Sequence, residues 1–139
     1  PCACPRGLAG AAALADRSIL VVDDEPIILL ALRLSLATAL GPGYRVETAP
    51  SGAAALALMD ELDADGPPLA GIVSDWRMPL MSGDQFLREA RARKPDLPLV
   101  LLTGYADRDL AEALHRELAL AASLEKPCDT TVLVRALLG

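Results

Sequence analysis

Five times along residues 18–139, a short run of β-branched and leucine residues gives way to a longer segment with helical periodicity. No other feature constrains the fold as much. Residues 18–22, 72–74 and 99–102 are apolar without polar alternation, which is how strands covered on both faces read. Residues 44–48 are more polar and predict an edge strand, and 121–124 give the weakest strand signal. Helices are expected over 26–40, 51–62, 83–93, 107–118 and 129–138. Pro26 suits a first helical turn, where a missing N–H costs nothing. Gly41-Pro42-Gly43, Gly66-Pro67-Pro68 and Lys94-Pro95-Asp96 stop the helices before them. Ser82-Gly83-Asp84-Gln85 has the form of a capping box. Strands alternating with helices at this spacing predict an α/β fold, a five-stranded doubly wound parallel sheet with helices on both faces. Residues 1–17 are expected as a tail or linker, with helical potential around 8–14, and 18–139 as the domain.

Composition narrows the function. The 139 residues are 53% hydrophobic, enough to bury one core, and carry 13 Lys+Arg against 19 Asp+Glu, a net charge of −6. Nucleic acid and anionic membranes both need a basic face, so neither is expected as a partner of this domain. The 3 cysteines, Cys2, Cys4 and Cys128, form no disulfide framework and lack the further Cys or His ligands of a zinc site. No apolar run approaches a membrane span, because Asp23, Asp24, Glu25 and Arg33 interrupt the best stretch. The apolar residues 7–15 are poorly flanked for a signal peptide, so a reducing, cytoplasmic location is expected.

In an open parallel sheet, ligands bind beyond the carboxyl ends of the strands. The first predicted strand ends in Asp23-Asp24-Glu25, the third in Asp75 and the fourth in Thr103-Gly104; Lys126-Pro127 follows the fifth. Taken singly, an acidic pair after a strand is usually a solvated turn, a threonine a cap and a lysine before proline a surface residue. Jointly they are more specific, because the fold brings these ends together. Carboxylates converging from Asp23, Asp24 and Asp75 repel one another unless a cation or proton intervenes. An all-oxygen set without His or Cys suits Mg²⁺, which keeps several waters and accepts phosphate oxygens. Thr103 offers a hydroxyl donor and Lys126 a point charge to a phosphoryl group. The set reads as phosphoryl chemistry on a carboxylate.

Four ordered motifs carry a family resemblance: 18–26 (SILVVDDEP), Ser74-Asp75-Trp76-Arg77-Met78-Pro79 with Met81-Ser82-Gly83, Leu102-Thr103-Gly104-Tyr105, and Glu125-Lys126-Pro127. Together they resemble the receiver domain of bacterial two-component response regulators, a flavodoxin-like fold. The resemblance implies that Asp75 is phosphorylated by a histidine kinase or phosphotransfer protein. It implies Mg²⁺ held by Asp24 and Asp75, with Asp23 acting through water and the main-chain carbonyl of Arg77 completing the set. Thr103 and Lys126 would bind the phosphoryl group, and Gly104 would leave room for a phosphohistidine or a water. Such a domain is a regulatory phosphoacceptor and not an enzyme in the usual sense.

Two positions depart from the family pattern. Ser123 stands where members usually carry Tyr or Phe as a rotameric switch, and Cys128 where Phe often follows Lys-Pro. Tyr105 is the aromatic nearest Thr103 in sequence and is expected to take over from the missing switch or to screen the site from water. In the first helix Ile27, Ile28, Leu29, Leu30, Leu32, Leu34 and Leu36 occupy more of the circumference than sheet packing needs. The excess is expected either as a docking or homodimer surface or as ordinary scattered exposure. Ser123 and this helix favour an alternative, a phosphorylation-independent interaction module. An aspartyl-phosphate hydrolase would need an Asp-x-Asp pattern after the first strand, which Asp23-Asp24-Glu25-Pro26 does not offer. With no room for an effector domain in 139 residues and Pro1 at the start, a stand-alone regulator, the receiver of a hybrid kinase and an excised domain are all compatible.

Overall fold

A computed structural model describes residues 16–104, 107–126 and 129–138 of the chain. The elements are β1 (Arg17–Val22), α1 (Pro26–Leu40), β2 (Tyr44–Ala49), α2 (Gly52–Asp65), β3 (Leu69–Asp75), α3 (Gly83–Arg93), β4 (Leu99–Thr103), α4 (Arg108–Leu118), β5 (Ala122–Glu125) and α5 (Thr130–Leu138). All strand pairs are parallel, in the order β2-β1-β3-β4-β5. The polar strand β2 lies at an edge, as its composition predicts, and the order reverses between β1 and β3, where such sheets open a crevice.

Successive strand residues point to opposite faces, and both faces are covered. Ile19, Val21, Val73, Val100 and Leu102 pack on Leu29 and Leu36 of α1 and on Leu133 and Leu137 of α5. On the other face Leu20, Val22, Ile72, Leu99 and Leu101 meet Met59 of α2, Phe86, Leu87 and Ala90 of α3, and Ala111 and Leu114 of α4. This is why β1, β3 and β4 lack polar alternation. Among the described residues no helix is long and apolar enough to cross a membrane.

Local signals fix most boundaries. Pro26 begins α1 and Gly41 ends it at φ +83°, a left-handed value that favours glycine. Ser51 caps α2 by accepting from the Ala54 N–H at 3.1 Å. The backbone N–H of Ser82 donates to Gln85 Oε1 at 3.2 Å, as the capping pattern anticipates.

Corrections to the expected boundaries are small and physical. Arg17, assigned to the tail, pairs with Tyr44 as the first residue of β1. β3 starts at Leu69, three residues before the expected position, because Gly71 interrupts the apolar run; the register with β1 shifts just before it, Ser18 facing Leu69 and Ile19 facing Gly71, and a Cβ on Gly71 would lie 2.7 Å from Leu137 Cδ2. Ser51, Asp107 and Asp129 precede their helices instead of beginning them, and α2 runs on to Asp65. β5 is displaced by one residue to Ala122–Glu125, in register with β4.

A further anchor had no sequence signature. The Arg91 guanidinium donates to the carbonyls of Leu97 at 2.7 Å, Pro95 at 2.8 Å, Leu118 at 2.9 Å and Ala119 at 3.2 Å. It thereby ties the end of α3 to orphan carbonyls at the end of α4.

Candidate functional site

Each strand of the crevice delivers its last side chain to the same edge. Asp23 follows β1 with 1% exposure, and Asp75 ends β3 with 7%. Asp24 stands exposed beside them, and one carboxylate oxygen from each of the three lies within 4.8 Å of the others. Lys126 arrives from β5. Its position follows from the ladder, since Thr103 pairs with Glu125 and the Thr103 carbonyl accepts the Lys126 N–H at 2.9 Å. The ammonium lies 2.8 Å from Asp75 Oδ1 and 3.4 Å from Asp23 Oδ2. Asp23 uses its other oxygen to accept the Glu25 N–H at 2.9 Å, which turns the chain into α1.

The electrostatics follow from burial. Desolvation pushes the Asp75 carboxyl above the usual carboxylate range, and the neighbouring Asp23 adds to this; the hydrogen bond and charge of Lys126 oppose it without cancelling it. Burial alone would lower Lys126, but Asp75 and Asp23 together hold it above its ordinary value. The ammonium is therefore charged at neutral pH. Three carboxylates against one ammonium leave excess negative charge around the buried Asp75, which a hard divalent cation would neutralise. The donor set, oxygen only with Asp24 open to water, fits Mg²⁺.

Thr103 is 2% exposed, one residue past Leu102, the pairing partner of Asp75. Gly104 is exposed, and a Cβ built on it would meet nothing within 4 Å among the described residues. Arg77 lies in the β3–α3 loop, with Asp24, Trp76, Pro79 and Asp107 lining a shallow hollow around it. Wider hollows lie at the opposite edge, near Arg17, Lys94 and Leu137, away from the acidic cluster. Ser123 is half-buried on β5 and opens onto a hollow lined by Glu112, His115 and Arg116 of α4. Tyr105, Pro127, Cys128 and residues 1–15, with Cys2 and Cys4, lie outside the described residues.

Sequence reading missed one pair. The Arg77 guanidinium donates to both oxygens of Asp107, Nε at 2.9 Å and Nη2 at 3.0 Å. Asp107 is 5% exposed and sits at the N-cap of α4, where the sequence reading had it as the first helical residue; its side chain makes no capping bond. Its neighbour Arg108 pairs with Glu125 at 2.5 Å, next to Lys126. No spacing rule marks partners 30 residues apart in sequence.

Comparison with known proteins agrees with this geometry. A family model described as the response regulator receiver domain matches residues 19–138. The sensor kinase CckA of Brucella abortus (strain 2308) is 39% identical over 111 residues, 79% of this chain and 11% of that protein. The transcriptional regulatory protein FixJ of Azorhizobium caulinodans is 38% identical over 118 residues, 84% of this chain and 51% of that protein. Among solved structures, a response regulator receiver domain protein from Clostridium thermocellum aligns with a TM-score of 0.77 at 30% identity, covering 87% of this chain and 90% of that one. The chain thus spans about half of one curated relative and about a tenth of the other.

Proposed function

The chain belongs to the response regulator receiver domain family, and from that premise we propose that it is a phosphoacceptor switch phosphorylated on Asp75. The observation that carries the reading is the contact of Lys126 Nζ with the buried Asp75 at 2.8 Å, inside a cluster of three carboxylates. The family is regulatory, so the chemistry is limited to gaining and losing one phosphoryl group.

An Asp75 carboxylate oxygen attacks the phosphorus of a phosphohistidine on a histidine kinase or phosphotransfer protein. The P–O bond forms, the P–N bond breaks, and the imidazole leaves with the bonding pair. Phosphoryl transfer has a loose, in-line transition state, so the protein contributes positioning and charge neutralisation. Lys126 follows its partner oxygen and stabilises charge on the phosphoryl oxygens, while Thr103 donates a hydroxyl to them. Gly104 leaves the line of attack open to the donor, and later to a water. Asp24 and Asp75, with Asp23 through water and the Arg77 carbonyl, would hold Mg²⁺, which when bound neutralises charge on the transferring group. We place 17–139 as the receiver, with 1–16 preceding it, in a cytoplasmic protein whose domain binds neither nucleic acid nor membrane.

An acyl phosphate or phosphoramidate with Mg²⁺ should add one phosphoryl mass to the intact protein. A chain left unmodified by several such donors would overturn the reading. The metal assignment has its own test. Asp24→Asn should melt higher than wild type without Mg²⁺, because it relieves carboxylate repulsion, and should gain less from added Mg²⁺, because a ligand is gone. Equal Mg²⁺ stabilisation of the two proteins contradicts the site.

A second reading, a docking module independent of phosphorylation, is favoured by the outer face of α1. There Ile27, Leu30 and Leu34 share a helical stripe at 80%, 51% and 57% exposure. The same stripe begins one turn from Asp24 and would serve the phosphodonor protein or a second copy of this chain as a contact. Binding unaffected by Asp75→Ala would favour this second reading.

A further inference from the structure

We propose that the Arg77–Asp107 bridge is the latch through which phosphorylation of Asp75 is coupled to α4, taking the place of the aromatic switch that Ser123 cannot supply. The inference rests on the phosphoacceptor reading above and deepens it by naming the route of the signal.

Arg77 is two residues beyond Asp75, in the loop that follows the nucleophile, and its side chain is 74% exposed apart from its hold on Asp107. The hydrogen bond and charge of Asp107 are what hold the Arg77 guanidinium above its ordinary value, with the charge of Asp75 the smallest contribution. Asp107 is the opposite case, a buried carboxylate whose two oxygens are both taken by Arg77. A buried carboxylate tolerates its position only while it is paired. The bridge therefore holds the start of α4 against the phosphoacceptor loop for as long as Arg77 stays.

A phosphoryl group on Asp75 adds roughly 1 unit of negative charge and three strong acceptor oxygens within reach of this loop. A guanidinium binds phosphoryl oxygens in the same forked geometry that it uses for a carboxylate. Its exposed stem is free to swing, so Arg77 exchanges Asp107 for the phosphoryl group. Asp107 is left without its counter-charge and moves out to water, carrying the first turn of α4 with it. The next residue extends the path, because Arg108 is bound to Glu125 at 2.5 Å and Glu125 adjoins Lys126. Displacement of α4 therefore pulls on the end of β5 from which Lys126 reaches the site. Ser123 needs no part in this. Half-buried beside a hollow and small, it has too little contact area to transmit a packing change.

The test uses beryllofluoride with Mg²⁺ as the phosphoryl mimic. Fluorine NMR reports the bound mimic, and hydrogen exchange reports the amides of Ala111 to Leu114, the first in α4 with intrahelical acceptors. In wild type the mimic should speed exchange there by roughly tenfold, within the usual range for coupled sites. Asp107→Asn should exchange at about the faster rate before the mimic is added and respond little to it. The double variant Arg77→Gln with Asp107→Asn restores a neutral amide pair. It should keep α4 protected and make that protection insensitive to the mimic, which guards against simple failure of the single variant to fold. The proposal is overturned if wild type binds the mimic with no change in α4, or if Asp107→Asn keeps the full wild-type response. Absence of any bound-fluoride signal in wild type would instead remove the phosphoacceptor reading, and this inference with it.

Discussion

Asp75→Ala will take up no phosphoryl group from a small donor, and Lys126→Ala will take it up more slowly by roughly 10²–10³-fold, the usual cost of removing one preorganised charge or donor from a transferring group. The two effects differ in kind. In the proposed reaction Asp75 supplies the attacking oxygen; of the two buried carboxylates beside the ammonium it is the nearer, at 2.8 Å against 3.4 Å for Asp23. Lys126 would supply neutralisation, which Mg²⁺ would share when bound. Time courses of intact mass separate them: a persistent phosphoryl adduct in Asp75→Ala, or wild-type rates in Lys126→Ala, would sink the assignment.

The same substitution has a stability signature. Burial raises the Asp75 carboxyl above its unfolded value, so the ionised form is the one that costs the fold stability. That cost is absent below the ordinary carboxylate range and present in full above the raised folded value. Without Mg²⁺, Asp75→Ala should therefore melt above wild type at neutral pH. The gain should shrink as the pH falls below the carboxylate range. Lys126 keeps Asp23 as a partner, at 3.4 Å, which prevents the substitution from stranding the ammonium.

The second large effect is predicted at Gly83. Its backbone N–H donates to the Trp76 carbonyl at 2.8 Å, which docks the start of α3 directly on the end of β3. A Cβ built there would sit 2.1 Å from the Asp75 carbonyl oxygen and 2.9 Å from the Trp76 Cα. Both are backbone atoms, so no side chain can yield. Gly83→Ala must pry α3 from β3 or shift the backbone of Asp75, at a cost of about 3 kcal/mol, the upper end for overpacking. For a domain of this size that lowers the melting midpoint by on the order of 10 °C. Gly43→Ala is the control, since a Cβ at that position meets nothing within 4 Å and should leave the midpoint nearly unchanged. Matching midpoints for Gly83→Ala and wild type would show that this packing constraint is wrong. Residual folded Gly83→Ala should also accept phosphate poorly, because the shifted atom belongs to Asp75 itself.

Much of this molecule was legible before any coordinates. β1 and β4 are buried on both faces, so their residues had to be apolar in unbroken runs, and that pattern reads without knowledge of neighbours. β5 was faint because it is four residues long and only half-buried, which leaves little selection for apolar side chains. The acidic residues, Thr103 and Lys126 were visible because a parallel sheet sends all of its carboxyl ends to one edge. Position after a strand therefore substitutes for position in space.

What only the tertiary structure decided depends on distance across the chain. Local chemistry specifies where a helix starts, and Pro26, Ser51 and Ser82 do so by satisfying or omitting backbone donors within a single turn. It carries no information on which side of the sheet that helix lands, so the outward Ile27–Leu34 stripe could not be told from the inward Leu29 and Leu36 until the packing was known. The pairing of Arg77 with Asp107 lay further out of reach. Each residue alone is an ordinary loop charge, and what distinguishes them is the burial of one carboxylate, a property set by the closure of α4 against the β3–α3 loop. The sequence by itself determined the sheet and the residues gathered at its edge; the three-dimensional packing decided which of those charges are desolvated, and desolvation is what turns a surface ion pair into a latch.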